Sequence, residues 1–291
     1  MPVLVTGATG FVGRSVVREL RRRTHVVHAL ARSDEGERTV HALGAIPVRG
    51  SLADLDVLRA EAANVDAVVH CAFDYAGPGV QLERDALEAL LDALPAGRTF
   101  VYTSGVWVYG SRGDAVVDET APLVPLPLVA WRPAHEELVL AQQGRLRAIV
   151  LRPGIVYGDG GGIPGQMVEQ ARQGQLRIIG EGDNRWSTVR HDALAELYGA
   201  VVDQRIARGI YNAVRGASVP YGEIANAAAR AAGSDDPVES ITLEAARTVM
   251  GPFADALISD QQIDGGKAER ELGWAPHRPT LLEELANSVV V

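Results

Sequence analysis

The chain has 291 residues, 47% of them hydrophobic, which suffices for one large domain or a main domain with a smaller lobe; it carries a formal charge of −9 and one cysteine, Cys71. That balance argues against a basic face for neutralising nucleic-acid phosphates, and a lone thiol excludes an internal disulfide or a cysteine zinc cage, so Cys71 reads as an apolar core residue. No uninterrupted apolar run is long enough to cross a bilayer, and MPVLVTGATG leads directly into a strand and a glycine loop without a charged leader; a cytoplasmic protein away from membranes is the expectation.

In chain order, VLV, HVVHAL, DAVVHCA, TFVYTS and RAIVLR are short, valine-rich apolar runs. Between them FVGRSVVRELRRR, LADLDVLRAEAA, VQLERDALEALLDAL and PAHEELVLAQQ carry apolar residues at helical spacing. Apolar strands alternating with helices predict an α/β fold with a parallel sheet covered on both faces. Pro133 suits the first turn of its helix, where a missing N–H costs nothing. Beyond residue 153 come the glycine-rich YGDGGGIPG, a helix near 164–173, a segment in which Asp192 is placed as a helix N-cap, the strand-like GIYNAV and several short helices. The expected division is a dinucleotide-binding domain over 1–153 and a mostly substrate-binding lobe over 154–291, with some segments returning to the sheet.

VLVTGATGFVG places Gly7, Gly10 and Gly13 directly after a strand and at the start of a helix. Gly7 permits the tight turn, Gly10 lets backbone approach a pyrophosphate, Gly13 allows close helix-to-strand packing, and the helix N-terminus supplies N–H groups. Thr9, Phe11 and Val12 complete this loop. At the end of the second strand, HALARSDEGER puts Arg32 and Ser33 where an acidic residue would hold the ribose of NAD, so NADP(H) is favoured over NAD(H). Ser51 and Leu52 after the third strand would face the adenine. Cys71, Ala72 and Phe73 after the fourth strand, Thr103 at the end of the fifth, and Pro153 and Val156 beyond it are the remaining expected cofactor contacts.

With TGATGFVG, VYTSGVWVYG, LRPGIVYG and ELGWAP in order, the chain resembles the short-chain dehydrogenase/reductase superfamily, and within it the extended, NAD-dependent epimerase/dehydratase-like branch. The resemblance spans Val3 to about Leu285 and implies a Rossmann-like doubly wound parallel sheet with a small C-terminal substrate lobe. It further implies a Ser or Thr that positions the substrate oxygen, a Tyr that exchanges a proton, and a Lys four residues later that lowers the Tyr pKa from about 10. Here Gly105 falls at the common Ser/Thr position, with Ser104 one residue early. The Tyr position falls on Leu128 or Val129 and the Lys position on Arg132 or Pro133. Lys267 is the only lysine and Ile263 stands four residues before it, so no Tyr-x-x-x-Lys exists anywhere in the chain.

Tyr109, Ser104 and Arg132 are therefore the candidate catalytic residues, Tyr109 as a substitute proton donor and Arg132 as a cation that cannot itself donate near neutral pH. Tyr75, Trp131, Tyr157 and Arg185 are the candidate substrate contacts, each with a plain packing or surface role as the alternative. Arg185 resembles the arginine that sugar-nucleotide members use for a diphosphate, although its neighbours depart from their pattern. His135 shares a helical face with Arg132 and reads as a surface histidine, and Asp74 as a turn cap. The histidines show no H-x-x-x-H spacing, and no metal is expected. The leading expectation is an NADP(H)-dependent oxidoreductase acting on a carbonyl or alcohol of a small metabolite. The alternatives are a cofactor-binding sensor or scaffold without turnover, or an epimerase, dehydratase or non-redox isomerase using the same pocket. Members of that family often pair through helices on one sheet face, which makes a homodimer a further expectation.

Overall fold

The computed structural model describes residues 1–74, 78–234 and 236–288. The valine-rich runs form β1 (Pro2–Thr6), β2 (Val26–Ala31), β3 (Ile46–Arg49), β4 (Ala67–His70) and β5 (Thr99–Thr103). With strands Arg147–Pro153 and Gly209–Ala213 they make a seven-stranded sheet, ordered Gly209–Ala213, Arg147–Pro153, β5, β4, β1, β2, β3. Every pairing within it is parallel. Such strands read as continuous apolar runs because helices bury both faces.

α1 (Phe11–Arg22) and α7 (His191–Asp203) cover one face: Val16, Val17 and Leu20 meet Leu194, Leu197 and Val201 in one apolar cluster with Val3 and Val5. α3 (Leu55–Ala62), α4 (Gly79–Ala93) and α5 (Arg132–Leu140) cover the other, where Leu58, Leu87, Leu90 and Val139 pack on Leu4, Val68 and Phe100. α2 (Asp34–Ala42) lies along β2 and β3. Pro133 does occupy the first turn of α5. Asp192 is not the cap of α7: the helix starts at His191 with Arg190 as N-cap, and the Asp192 carboxylate instead accepts from Ala193 N (2.8 Å), Arg190 and Arg278.

The C-terminal lobe has its own core. α6 (Gly162–Arg172) and α8 (Tyr221–Ala231) enclose Tyr157, Met167, Trp186 and Ile224. α7 and strand Gly209–Ala213 return to the main sheet, so the lobe is interrupted by a piece of the first domain. The strand order reverses between β1 and β4. Side chains and loops at the C-terminal ends of these two strands therefore border the crevice where open α/β sheets bind ligands. Among the described residues no helix is long and apolar enough to cross a membrane.

Candidate cofactor and active site

The turn after β1 is built of backbone at close quarters. Gly7 has φ +72°, and a Cβ there would lie 2.7 Å from Ala72 N; a Cβ on Gly13 would lie 2.0 Å from the Gly7 carbonyl oxygen. Gly10 N donates to Gly7 O (3.0 Å), which closes the turn and makes Gly10 the N-cap of α1, with no side chain to spend on the helix end. The first turn of α1 holds no acidic residue, so its open N–H groups and positive potential suit a pyrophosphate. Thr9 and Val12 flank this cradle half-buried. The Phe11 ring leans on His191 (5.3 Å), and Gly161 lies so close to it that a Cβ would come within 2.3 Å. The loop of residues 158–162 thus packs on the first turn of α1.

At the end of β2, Arg32 projects with its side chain 77% exposed, 3.9 Å from Asp74. Ser33 caps α2 by accepting from Gly36 N (3.1 Å). Two other carboxylates nearby are drawn elsewhere: Asp34 and Glu37 lie 2.7 and 3.2 Å from the Arg49 guanidinium. Ser51 N and Oγ both donate to Asp54 (2.7 Å), hydrogen bonds that hold that carboxyl below its usual range, and Leu52 is buried beside them.

Cys71 sits at the crevice edge rather than wholly inside the core. Its residue is half-buried, burial pushes the thiol up to about 11, and the Thr103 hydroxyl donates to its sulfur (3.4 Å). Tyr198 of α7, which the sequence did not single out, shares a 2.6 Å hydrogen bond with Thr103 Oγ1. Ala72 donates its N–H to Thr6 Oγ1 (3.4 Å), and Phe73 stacks on Trp131 (4.9 Å, 7°). Tyr75 lies outside the described residues. Ser104 is 6% exposed, and its hydroxyl finds no hydrogen-bond partner among the described residues. Such an orphan is costly unless a ligand or water completes it. Pro153 is buried where its strand ends, and Val156 packs half-buried against the α1/α7 core.

Across the crevice, Arg132 opens α5. Its Nη1 donates to the Thr103 carbonyl (2.9 Å) and its guanidinium lies 4.5 Å from the Trp131 ring centroid and 5.7 Å from that of Phe73. Leu128, four residues earlier, is 37% exposed and can give no proton. Tyr109 is placed differently from the expectation of a proton donor. It is fully buried, its hydroxyl donates to Asn212 Oδ1 and accepts from Arg152 Nη1 (both 2.7 Å), and burial pushes its pKa up. Arg152 in turn forms a buried two-pronged pair with Glu136.

His135 is a correction. It is 2% exposed, not a surface residue, and its Nδ1 lies 3.1 Å from Glu83 Oε2. Glu83 could have been flagged, since it precedes Leu87 and Leu90 by four and seven positions on the buried face of α4. The two lobe candidates are also engaged. Tyr157 donates to Pro279 O (2.8 Å), with burial pushing its pKa up to about 12. Arg185 pairs with Asp260 through Nε (2.9 Å) and Nη2 (2.7 Å), and with Asp114 (2.9 Å).

The sequence profile of the NAD dependent epimerase/dehydratase family matches residues 3–213. A 2-alkyl-3-oxoalkanoate reductase of Stenotrophomonas maltophilia is 34% identical over 212 residues, 67% of this chain and 63% of the relative. Two solved structures share the fold over 99% of this chain. One is a Thermus thermophilus UDP-glucose 4-epimerase in complex with NAD, TM-score 0.81, 23% identical and 98% covered. The other is a human epimerase family protein with NADPH, TM-score 0.81, 23% identical and 99% covered.

Proposed function

The chain belongs to the NAD dependent epimerase/dehydratase family, and from that premise we propose that it is an NADP(H)-dependent oxidoreductase acting on a carbonyl or alcohol of a small metabolite. The glycine turn suits a nicotinamide dinucleotide, since it leads into the first turn of α1, whose open N–H groups and lack of acidic residues favour a pyrophosphate. The observation that carries the cofactor choice is the end of β2, where Arg32 is exposed and Asp34 and Glu37 are held by Arg49; Asp74, 3.9 Å from Arg32, is the carboxylate that a 2′-phosphate would replace as its partner. A guanidinium pairs with a 2′-phosphate, and carboxylates left facing it would repel one.

When bound, the cofactor supplies or accepts a hydride at nicotinamide C4. The first turn of α1 would hold the pyrophosphate, and Arg32 would hold the 2′-phosphate. Arg132, anchored on the Thr103 carbonyl and 4.5 Å from the Trp131 ring centroid, stands where the family places the lysine that holds the nicotinamide ribose; it would hold that ribose and stabilise negative charge as it forms on the substrate oxygen. The buried Ser104 hydroxyl orients that oxygen. Neither group yields a proton near neutral pH, so in the reductive direction the new hydroxyl takes its proton from water.

Fluorescence titration tests the reading. NADPH binds in preference to NADH, and Arg32→Ala weakens NADPH about tenfold or more while leaving NADH unchanged, as expected for a lost charge-assisted bond. Binding of neither nucleotide at micromolar concentrations ends the proposal. The engaged Tyr109 hydroxyl and the leucine at 128 favour a second reading, cofactor binding without turnover. Loss of NADPH absorbance against a panel of aldehydes and ketones separates the two.

A further inference from the structure

A chain of buried polar groups runs beneath the cleft from the cofactor turn to α5, and the mechanism above leaves it without a task. At one end Thr6, the last residue of β1, has its hydroxyl 2.9 Å from His70 Nδ1. His70 Nε2 lies 3.8 Å from Glu83 Oε1 and has no closer partner among the described residues. The other carboxylate oxygen of Glu83 lies 3.1 Å from His135 Nδ1. The His135 ring meets Trp131 at a steep angle (4.9 Å, 60°), and Trp131 also carries the stacked Phe73 ring and the Arg132 guanidinium, 4.5 Å from its centroid. His70, Glu83 and His135 are each at most 2% exposed.

A carboxylate so deep is costly unless its charge is matched. The groups facing it are His70 from β4, the Tyr102 hydroxyl from β5 (3.4 Å), and His135 from α5, with Arg132 and Glu136 of the same helix contributing to the field around Tyr102. Burial pushes the Glu83 carboxyl up, but the two histidines and the Arg132 charge outweigh it and hold it below the usual carboxylate range. It is therefore an anion at neutral pH.

We propose that Glu83 and His135 are positioning residues for Arg132: the buried carboxylate orients the His135 imidazole, and that imidazole packs on the Trp131 ring against which the guanidinium lies. The inference rests on the cofactor reading above, because it concerns where Arg132 stands relative to a bound dinucleotide. Arg132 is otherwise held by a hydrogen bond to one carbonyl and by the Phe73 ring 5.7 Å from its guanidinium, and a long flexible side chain at a cleft gains from further restraint. Local alternatives are few on this wall, since Leu128 is apolar and Tyr109 is committed to Arg152 and Asn212.

A double-mutant cycle read by NADPH affinity separates positioning from mere fold support. The full-length protein, Glu83→Gln, Arg132→Gln and the double variant are titrated with NADPH at constant pH, with thermal unfolding followed alongside. Glu83→Gln is expected to weaken NADPH about fivefold, and the double variant is expected to bind no more weakly than Arg132→Gln alone. Tyr102→Phe, which removes a donor but leaves the Glu83–His135–Trp131 path, keeps wild-type affinity. If Glu83→Gln does not fold, His135→Gln carries the same cycle; if neither folds, the pair serves the fold and the inference is overturned. Additive losses, or wild-type affinity in a folded Glu83→Gln, overturn it while leaving the cofactor reading intact. Wild-type protein that binds no nucleotide overturns both.

Discussion

On the β1 side of the cleft the wall is backbone, whereas on the α5 side it is side chains held by partners on distant elements. Gly7 and Gly13 make their wall by having no Cβ: Gly13 packs on the Gly7 carbonyl six positions earlier, and Gly7 on the backbone of Cys71 and Ala72 at the end of β4. The α5 wall draws Arg132 onto Thr103, Glu136 onto Arg152 and His135 onto Glu83, across sequence separations of 29, 16 and 52. A backbone cradle is specified by a few local conformations. A side-chain wall is specified only when every partner arrives, and a change in one partner strands a charge.

The largest expected effect tests the α5 wall. Glu136→Ala leaves the Arg152 guanidinium buried without its carboxylate, and the expected loss is about 3–5 kcal/mol of folding stability in a denaturant titration. A loss below about 1 kcal/mol would mean that this wall does not rely on the pair. Next comes the backbone wall. Gly13→Ala drives a methyl group into the Gly7 carbonyl, so NADPH affinity falls about 100-fold and stability by about 2–3 kcal/mol. Retained binding would break the claim that close backbone approach makes the site.

The smallest effect sharpens the contrast between two arginines, Arg132 at the cleft and Arg185 in the lobe. Hydrogen bonds from Arg185 hold the Asp260 carboxyl below its usual range. Its folded value is depressed, so the stabilisation is present above the unfolded carboxylate pKa, about 4, and is lost as pH falls below it. Asp260→Asn is expected to cost about 0.5–1 kcal/mol at neutral pH, with the gap to wild type closing in acid, as thermal unfolding at two pH values would show. A gap that stays constant with pH would assign the pair no electrostatic role.

Much of the fold was legible because its signals are local. Valine runs alternating with helical spacing gave the parallel sheet, and the glycine turn was readable from its spacing alone. The backbone turn on the β1 side of the cleft was legible for the same reason. The α5 side was not. His135 looked like a surface residue because its partner Glu83 sits on another helix, and Tyr109 looked available because Asn212 and Arg152, 103 and 43 positions away, do not announce themselves. Arg185 resembled an open anion site until Asp260, 75 positions on, and Asp114 were brought against it.

By itself the amino-acid order determined two things: a tight glycine turn between the first strand and the first helix, and the absence of any tyrosine four residues before a lysine, since the chain has one lysine and Ile263 stands in that place. Only the tertiary structure decided which cations and hydroxyls are spent and which stay open. The reason is that a turn's backbone conformation is written in the residue types at the turn itself, whereas the pairing of a buried charge is settled by whichever distant strand or helix the core packs against it.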